Sequence, residues 1–264
     1  MIINIILILF LNQAFERYSG SAQTAALAQA STASVLYVDA IRFNPAALAI
    51  IQKNQLAAGY EYVLSGVEGL HNINIGFARP FFNGGLGLQM SEFGFSEQKE
   101  QAITLAYGLN LSKDFMFGMS SDLYFINNER TGTAFSYGIN FGILGTVYKK
   151  WSLGAYVHNL NQPSFSTTED SELPYEIRAG LAYRPFNDIL SEIDVSMCED
   201  EYRIHSAGAF VIFNMLALSF GIKTNPTVVS TGTGILHKFI EIDYAVEYIP
   251  DLPLTHNVST KFTF

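Results

Sequence analysis

The chain has 264 residues, 49% of them hydrophobic and 15% charged, with a formal charge of −9. That balance excludes a nucleic-acid partner, because phosphate binding needs a basic surface. No run of about 20 apolar residues follows the N-terminus, which excludes a bundle of membrane helices. Five scattered histidines lack metal-ligand spacing and the single Cys198 cannot form an internal disulfide, so neither a metal nor another cofactor is expected. Fourteen Tyr, 21 Phe and 21 Gly, set in short alternating segments, point to an all-β chain.

The first element, Met1 to Ala14, reads MIINIILILFLNQA. It is apolar through Phe10 and then polar, the pattern of an export signal peptide over residues 1–14. Residues 15–53 follow, rich in Ala, Ser and Thr and poor in alternation. Within them Asn44 can cap a short helix whose first position is Pro45 and whose second is Ala46. The segment is expected to be an N-terminal plug folded into the mouth of the remaining domain, with Asn44, Pro45 and Ala46 as its motif. Val35, Leu36, Ile41 and Phe43 could line an apolar pocket for a hydrophobic ligand between plug and wall.

From residue 54 to residue 264 the sequence alternates with a period of two. The alternation recurs in Leu56 to Leu64, Ile73 to Phe77, Ile103 to Leu111 and Phe135 to Ile143, and then in PYEIRAGLAYR and NMLALSFGIK. In Ile240 to Tyr248 it sets Ile240, Ile242, Tyr244, Val246 and Tyr248 against Glu241, Asp243, Ala245 and Glu247. The last segment, LPLTHNVSTKFTF, ends on Phe264, an aromatic terminus that fits an assembly signal of outer-membrane barrels. About fourteen strands result, an even number, as an antiparallel transmembrane β-barrel requires.

The connections run long and short by turns. SGVEGL, SEFGFSEQKE, NNERTG and LNQPSFSTTEDSEL read as external loops, and RPF, LSKD and YKK as periplasmic turns. Arg79, Lys113, Lys149, Lys150, Arg184 and Lys238 fall in the short turns; Glu169, Asp170, Glu172, Glu199, Asp200 and Glu201 fall in the loops. Trp151, Tyr60, Tyr62, Tyr148, Tyr183 and Tyr248 sit at strand ends and suit interfacial girdles. The expected location is therefore the cell outer membrane, crossed many times, with its lipid as the first partner.

The polar register then lines a lumen: Glu176, Arg178, Arg203, His205, Glu241, Asp243 and Glu247. Such a lumen either selects cations in an open pore or hydrogen-bonds a plug across a closed interior. His205 and His237 with Glu241 and Asp243 form a conceivable acid/base set, but no nucleophile signature accompanies them, so no catalytic residue and no enzyme activity are expected.

AFERYSGSAQTAALAQASTASVLYVDAIRFNPAALA resembles the N-terminal region of the PorV/PorQ group of FadL-like outer-membrane proteins. WSLGAYVHNL, ELPYEIRAGLAYRP, RIHSAGAFVIFNMLALSFGIKT and the run from Gly232 to Ser259 are similar to strands of that family, so the resemblance spans most of the chain after Ala14. It implies a 14-stranded barrel with an N-terminal plug and no enzyme activity. The role it implies is an accessory of type IX-like protein secretion, with secretion-system proteins as partners. The alternative is FadL-like transport of fatty acids or other hydrophobic small molecules.

Overall fold

The computed structural model describes residues 15, 20–65, 69–129, 132–165, 172–198 and 200–264, so the expected signal peptide lies outside the described residues. Fourteen strands make one sheet. In chain order they are β1 (Gln55–Tyr62), β2 (His71–Phe81), β3 (Gly84–Phe95), β4 (Gln98–Asn110), β5 (Phe115–Asn128), β6 (Gly132–Val147) and β7 (Trp151–His158). Then come β8 (Glu176–Tyr183), β9 (Ile189–Cys198), β10 (Glu201–Ile212), β11 (Leu216–Lys223), β12 (Val228–His237), β13 (Ile240–Tyr248) and β14 (Thr255–Thr263). Each pairs antiparallel with its sequence neighbours, and β1 pairs with β14, so the barrel is closed. Closure gives the strands their hydrogen-bond partners without leaving an edge.

The two-residue period separates the faces as the residue types require. In β13, Ile242, Tyr244 and Tyr248 are exposed while Asp243 and Ala245 are buried. Its partner β14 exposes Val258 and Phe262 and buries Asn257, Ser259 and Lys261. The register couples like with like, Tyr244 opposite Val258 and Glu241 opposite Lys261. Around the barrel the outside is apolar and the inside polar: Asp122, Asn140 and Asp194 are fully buried, while Ile75, Leu105 and Ile235 are more than half exposed. A water-soluble barrel shows the reverse.

Several connections fall elsewhere than expected. RPF, with Arg79, closes β2 and leaves residues 82–83 as the turn, Asn127 and Asn128 of NNERTG end β5 while Gly132 opens β6, and Glu201 opens β10 instead of lying in a loop. SEFGFSEQKE is mostly strand, because β3 continues to Phe95 and β4 begins at Gln98, leaving Ser96 and Glu97 as the turn. Cross-strand polar pairing explains the extension, since Glu92 accepts hydrogen bonds from Lys99 at 2.8 Å and Gln101 at 2.5 Å. Length asymmetry between the two ends therefore rests on residues 63–70, 159–175 and 249–254. The end bearing them is called the loop end below, and the other the turn end.

Residues 20–53 occupy the barrel interior. Helix α1 (Ala22–Ala26) packs against β11–β14, and Ser21 caps it by accepting from the Thr24 amide. A 3-10 turn (Tyr37–Asp39) and helix α2 (Ala40–Phe43) lead to a second 3-10 stretch (Pro45–Ile50) against β2–β6. The short helix expected after Asn44 is thus a 3-10 helix, with Asn44 Oδ1 accepting from the Ala46 amide at 3.1 Å. The wall makes room for it with inward glycines: a Cβ at Gly118 would strike the backbone of Pro45 and Ala46, and one at Gly108 that of Pro45 and Ala49.

Gly118→Val should therefore cost about 3 kcal/mol or more, because backbone on both sides cannot yield. Gly145→Val, whose nearest neighbour lies 3.8 Å away, should be nearly neutral. Urea titration in detergent, followed by the heat-modifiable gel shift of the folded barrel, measures both.

Candidate functional site at the interface of the N-terminal segment and the wall

Residues 28–34 cross the interior with little regular structure, so their backbone groups need partners from the wall. Carboxylates meet the amides. Asp194 Oδ2 accepts from the amides of Ser31 and Thr32, both at 3.0 Å, and from Thr32 Oγ1 at 2.7 Å; Glu192 Oε1 accepts from the Ala33 amide at 2.7 Å. Basic groups meet the carbonyls. Arg178 donates to Gln29 O and Arg184 to Ser34 O, each at 2.9 Å, and His205 Nδ1 lies 2.8 Å from Ala28 O, which places the proton on that nitrogen. Arg178 is itself held by Glu176 at 2.7 Å.

A second anchor surrounds Lys261. Its ammonium donates to Gln23 Oε1 at 2.6 Å and lies 3.5–3.6 Å from Asp39, Glu241 and Asp243. Asp39 in turn accepts from the Ser21 amide and hydroxyl, and the Ala22 amide donates to Ser259. The buried cation is held by the charge of three carboxylates, while its hydrogen bond to Gln23 ties it to the segment. Asn44 ties the segment to itself and to β6, donating to Thr32 O at 2.8 Å and Ile143 O at 3.0 Å.

The interior facing β1–β6 is different. There Val35, Val38, Ile41, Phe43, Leu48 and Ile51 pack with the wall residues Ala57, Ala78, Ala106, Met116 and Leu144. At the loop end a second apolar chamber holds the Phe15 ring among Ala102, Tyr124, Leu173, Ile126 and Phe165. Phe15 lies 4.7 Å from the Tyr124 ring and 5.9 Å from that of Phe165, and its amide donates to Glu100 at 2.8 Å. Beneath the chamber Asp122 accepts from Asn140 at 2.7 Å, from Tyr124 at 3.1 Å and from Thr104. His158 Nε2 completes the cluster 3.4 Å from Asp122.

The lumen residues inferred from the sequence all lie in inward registers. Arg178, His205 and Asp243 are buried, while Glu176, Arg203, Glu241 and Glu247 are half-buried. Arg203 reaches Glu201 at 3.4 Å, near the loop end. Of the four apolar residues, Val35, Ile41 and Phe43 share the cluster facing β1–β6, whereas Leu36 is half-buried outside it. They are packed against the wall rather than spread around an open pocket, because the inward alanines and glycines let the segment approach closely. Phe264 is exposed and its amide donates to Asn54 O at 2.9 Å beside the β1–β14 seam. The conceivable acid/base set does not assemble: His205 is inward on β10 toward the loop end, and His237 is exposed at the turn end of β12. Among the described residues no three His, Cys, Asp or Glu side chains are placed to hold a metal ion.

Sequence reading missed Asp194, Glu192, Lys261 and the Asp122 cluster. A polar residue in the inward register of a long apolar-faced strand was the available signal, and Asp122, Asp194 and Lys261 all carry it.

No protein-family model matches the sequence, and no curated protein matches it. Solved structures do share the fold. The toluene transporter TodX of P. putida superposes with a TM-score of 0.74 at 12% identity, covering 93% of this chain and 99% of the other. The Ralstonia pickettii toluene transporter TbuX gives 0.73 at 9% identity, over 95% and 100% of the two chains. A Pseudomonas aeruginosa FadL homologue gives 0.66 at 9%, over 95% and 100%. The chain therefore has the FadL-like barrel fold, while the PorV/PorQ part of the resemblance finds no support in these comparisons.

Asp194→Ala would strand two buried amides and the Thr32 hydroxyl, a loss of about 3 kcal/mol or more from the anchoring of the segment. Hydrogen exchange should rise across residues 20–36 while the strands stay protected; unchanged exchange there would show that the carboxylate does not hold the segment.

Proposed function

We propose that the chain is a multi-pass outer-membrane barrel, not an enzyme, that admits hydrophobic small molecules. The apolar outer face supports a membrane setting, and the names of the structures that share the fold support a transport role. The observation that carries the reading is the loop-end chamber, where a phenyl ring, that of Phe15, already occupies an apolar space bounded by β4, β5, Phe165 and Leu173. Deeper in the interior, beyond the Asp122 cluster, Val35, Ile41 and Phe43 are the apolar contacts the segment offers. Residues 15–53 act as a plug fixed at Asn44, Pro45 and Ala46, and the lumen carboxylates and arginines hold it in place. This replaces the type IX-like secretion accessory as the main reading, since no observation of the structure favours that role.

Binding of phenylnaphthylamine to the detergent-solubilised full chain tests it. Phe15→Ala should tighten binding by about ten-fold, because the probe no longer competes with a tethered ring. Ala102→Trp, filling the chamber, should remove it. Both variants must keep the heat-modifiable shift. An absence of saturable binding to the wild type and to Phe15→Ala would overturn the reading.

A further inference from the structure

The tips of the turn end carry aromatic side chains at backbone positions that disfavour them. Phe82, Tyr148 and Phe213 have φ of 47°, 51° and 54° and are 90%, 90% and 89% exposed. The left-handed region is disfavoured for bulky side chains and normally taken by Gly or Asn. At the loop end that demand is met by Gly69, Gly132, Asn159, Gln162, Asn225 and Asp251, and by Leu64, which is buried. The turn end thus presents strained, water-exposed rings where polar residues would be easier to accommodate. Phe186 and Phe239 add exposed rings on two further turns.

Lysines accompany the rings. Lys149 (φ 61°) and Lys238 (φ 39°) occupy the same kind of position, and Lys113 and Lys150 are likewise exposed. Lys150 Nζ lies 5.9 Å from the centre of the Phe186 ring, joining neighbouring turns. Asp114 and Asp188 are the exposed acids of these turns, fewer than the four lysines, whereas the loop end carries Glu97, Glu129, Glu172, Asp200 and Asp251. The rings stand on the β2–β3, β6–β7, β8–β9, β10–β11 and β12–β13 turns, all round the barrel rather than on one side. A partner protein would meet one sector; a lipid leaflet surrounds all of them.

We infer that the turn end is a collar for anionic phospholipid: the rings enter the boundary between headgroups and acyl chains, and Lys113, Lys149, Lys150 and Lys238 bind the phosphates of acidic headgroups. The inference rests on the membrane setting proposed above and adds to it a preference among lipids.

Trp151, the single tryptophan, gives a direct readout. It follows Lys149 and Lys150, is exposed, and stacks on Tyr183 at 4.2 Å. The full chain is reconstituted into phosphatidylcholine vesicles in which a minor fraction is brominated phosphatidylglycerol or, separately, brominated phosphatidylcholine. The glycerol lipid should quench Trp151 about two-fold more strongly, with the excess removed by salt and by Lys149→Asn with Lys150→Gln. Equal quenching by the two lipids, with the heat-modifiable shift intact, would overturn the collar while leaving the membrane setting standing. Quenching by neither would overturn the membrane setting itself and the collar with it. An excess that survives both salt and the lysine substitutions would overturn the role of the lysines in the inference.

Discussion

The fold depends on one demand, that a stretch of irregular backbone enclosed by a barrel finds a partner for its polar groups. Asp194 is the centre of the answer, since one of its oxygens accepts from two consecutive amides and a hydroxyl of residues 31 and 32. Around it the wall sorts by sign. Glu192 takes the next amide, and Arg178, Arg184 and His205 take carbonyls. A buried unpaired amide or carbonyl is costly, so these wall residues and the path of the segment specify each other.

The rest of the interior follows from this division. Residues 28–34 run irregularly and are held by hydrogen bonds from the charged wall of β8–β10, while Lys261 on β14 ties helix α1 to the wall. Where the wall is glycine and alanine, along β1–β6, the segment closes into short helices that satisfy most of their own backbone and present Val35, Ile41, Phe43 and Leu48. The interior therefore has a side where charged groups hold the segment and a mainly apolar side where it packs closely, with a few hydrogen bonds such as Gln55 Oε1 accepting from the Val38 amide at 2.9 Å. The Phe15 cluster at the loop end, set above the Asp122 group, repeats the division on a smaller scale.

Much of the wall was legible from the sequence. Ile240 to Tyr248 shows why: alternate residues must face opposite sides of a sheet, so its isoleucines and tyrosines share one face and Glu241 and Asp243 the other, whatever the partner strand. The same rule placed Arg178 and His205 inward. It failed at SEFGFSEQKE, where Glu92 and Lys99 look like loop residues and are instead cross-strand partners that carry β3 and β4 beyond the expected boundary. It also gave no means of rejecting the pairing of His205 with His237, because position along the barrel axis depends on strand direction and register.

By itself the sequence determined the periodicity, hence the strand faces, the closed barrel and the distinct character of residues 15–53; these follow from local geometry and composition. Only the tertiary structure decided which inward groups meet. Asp194 lies more than 160 positions from Ser31, and Lys261 more than 230 from Gln23. Such contacts are set by strand register and by the path of the segment, which no local pattern encodes. For the same reason the inward alternation could name polar residues, but only the folded barrel could show that they hold a segment rather than line a pore.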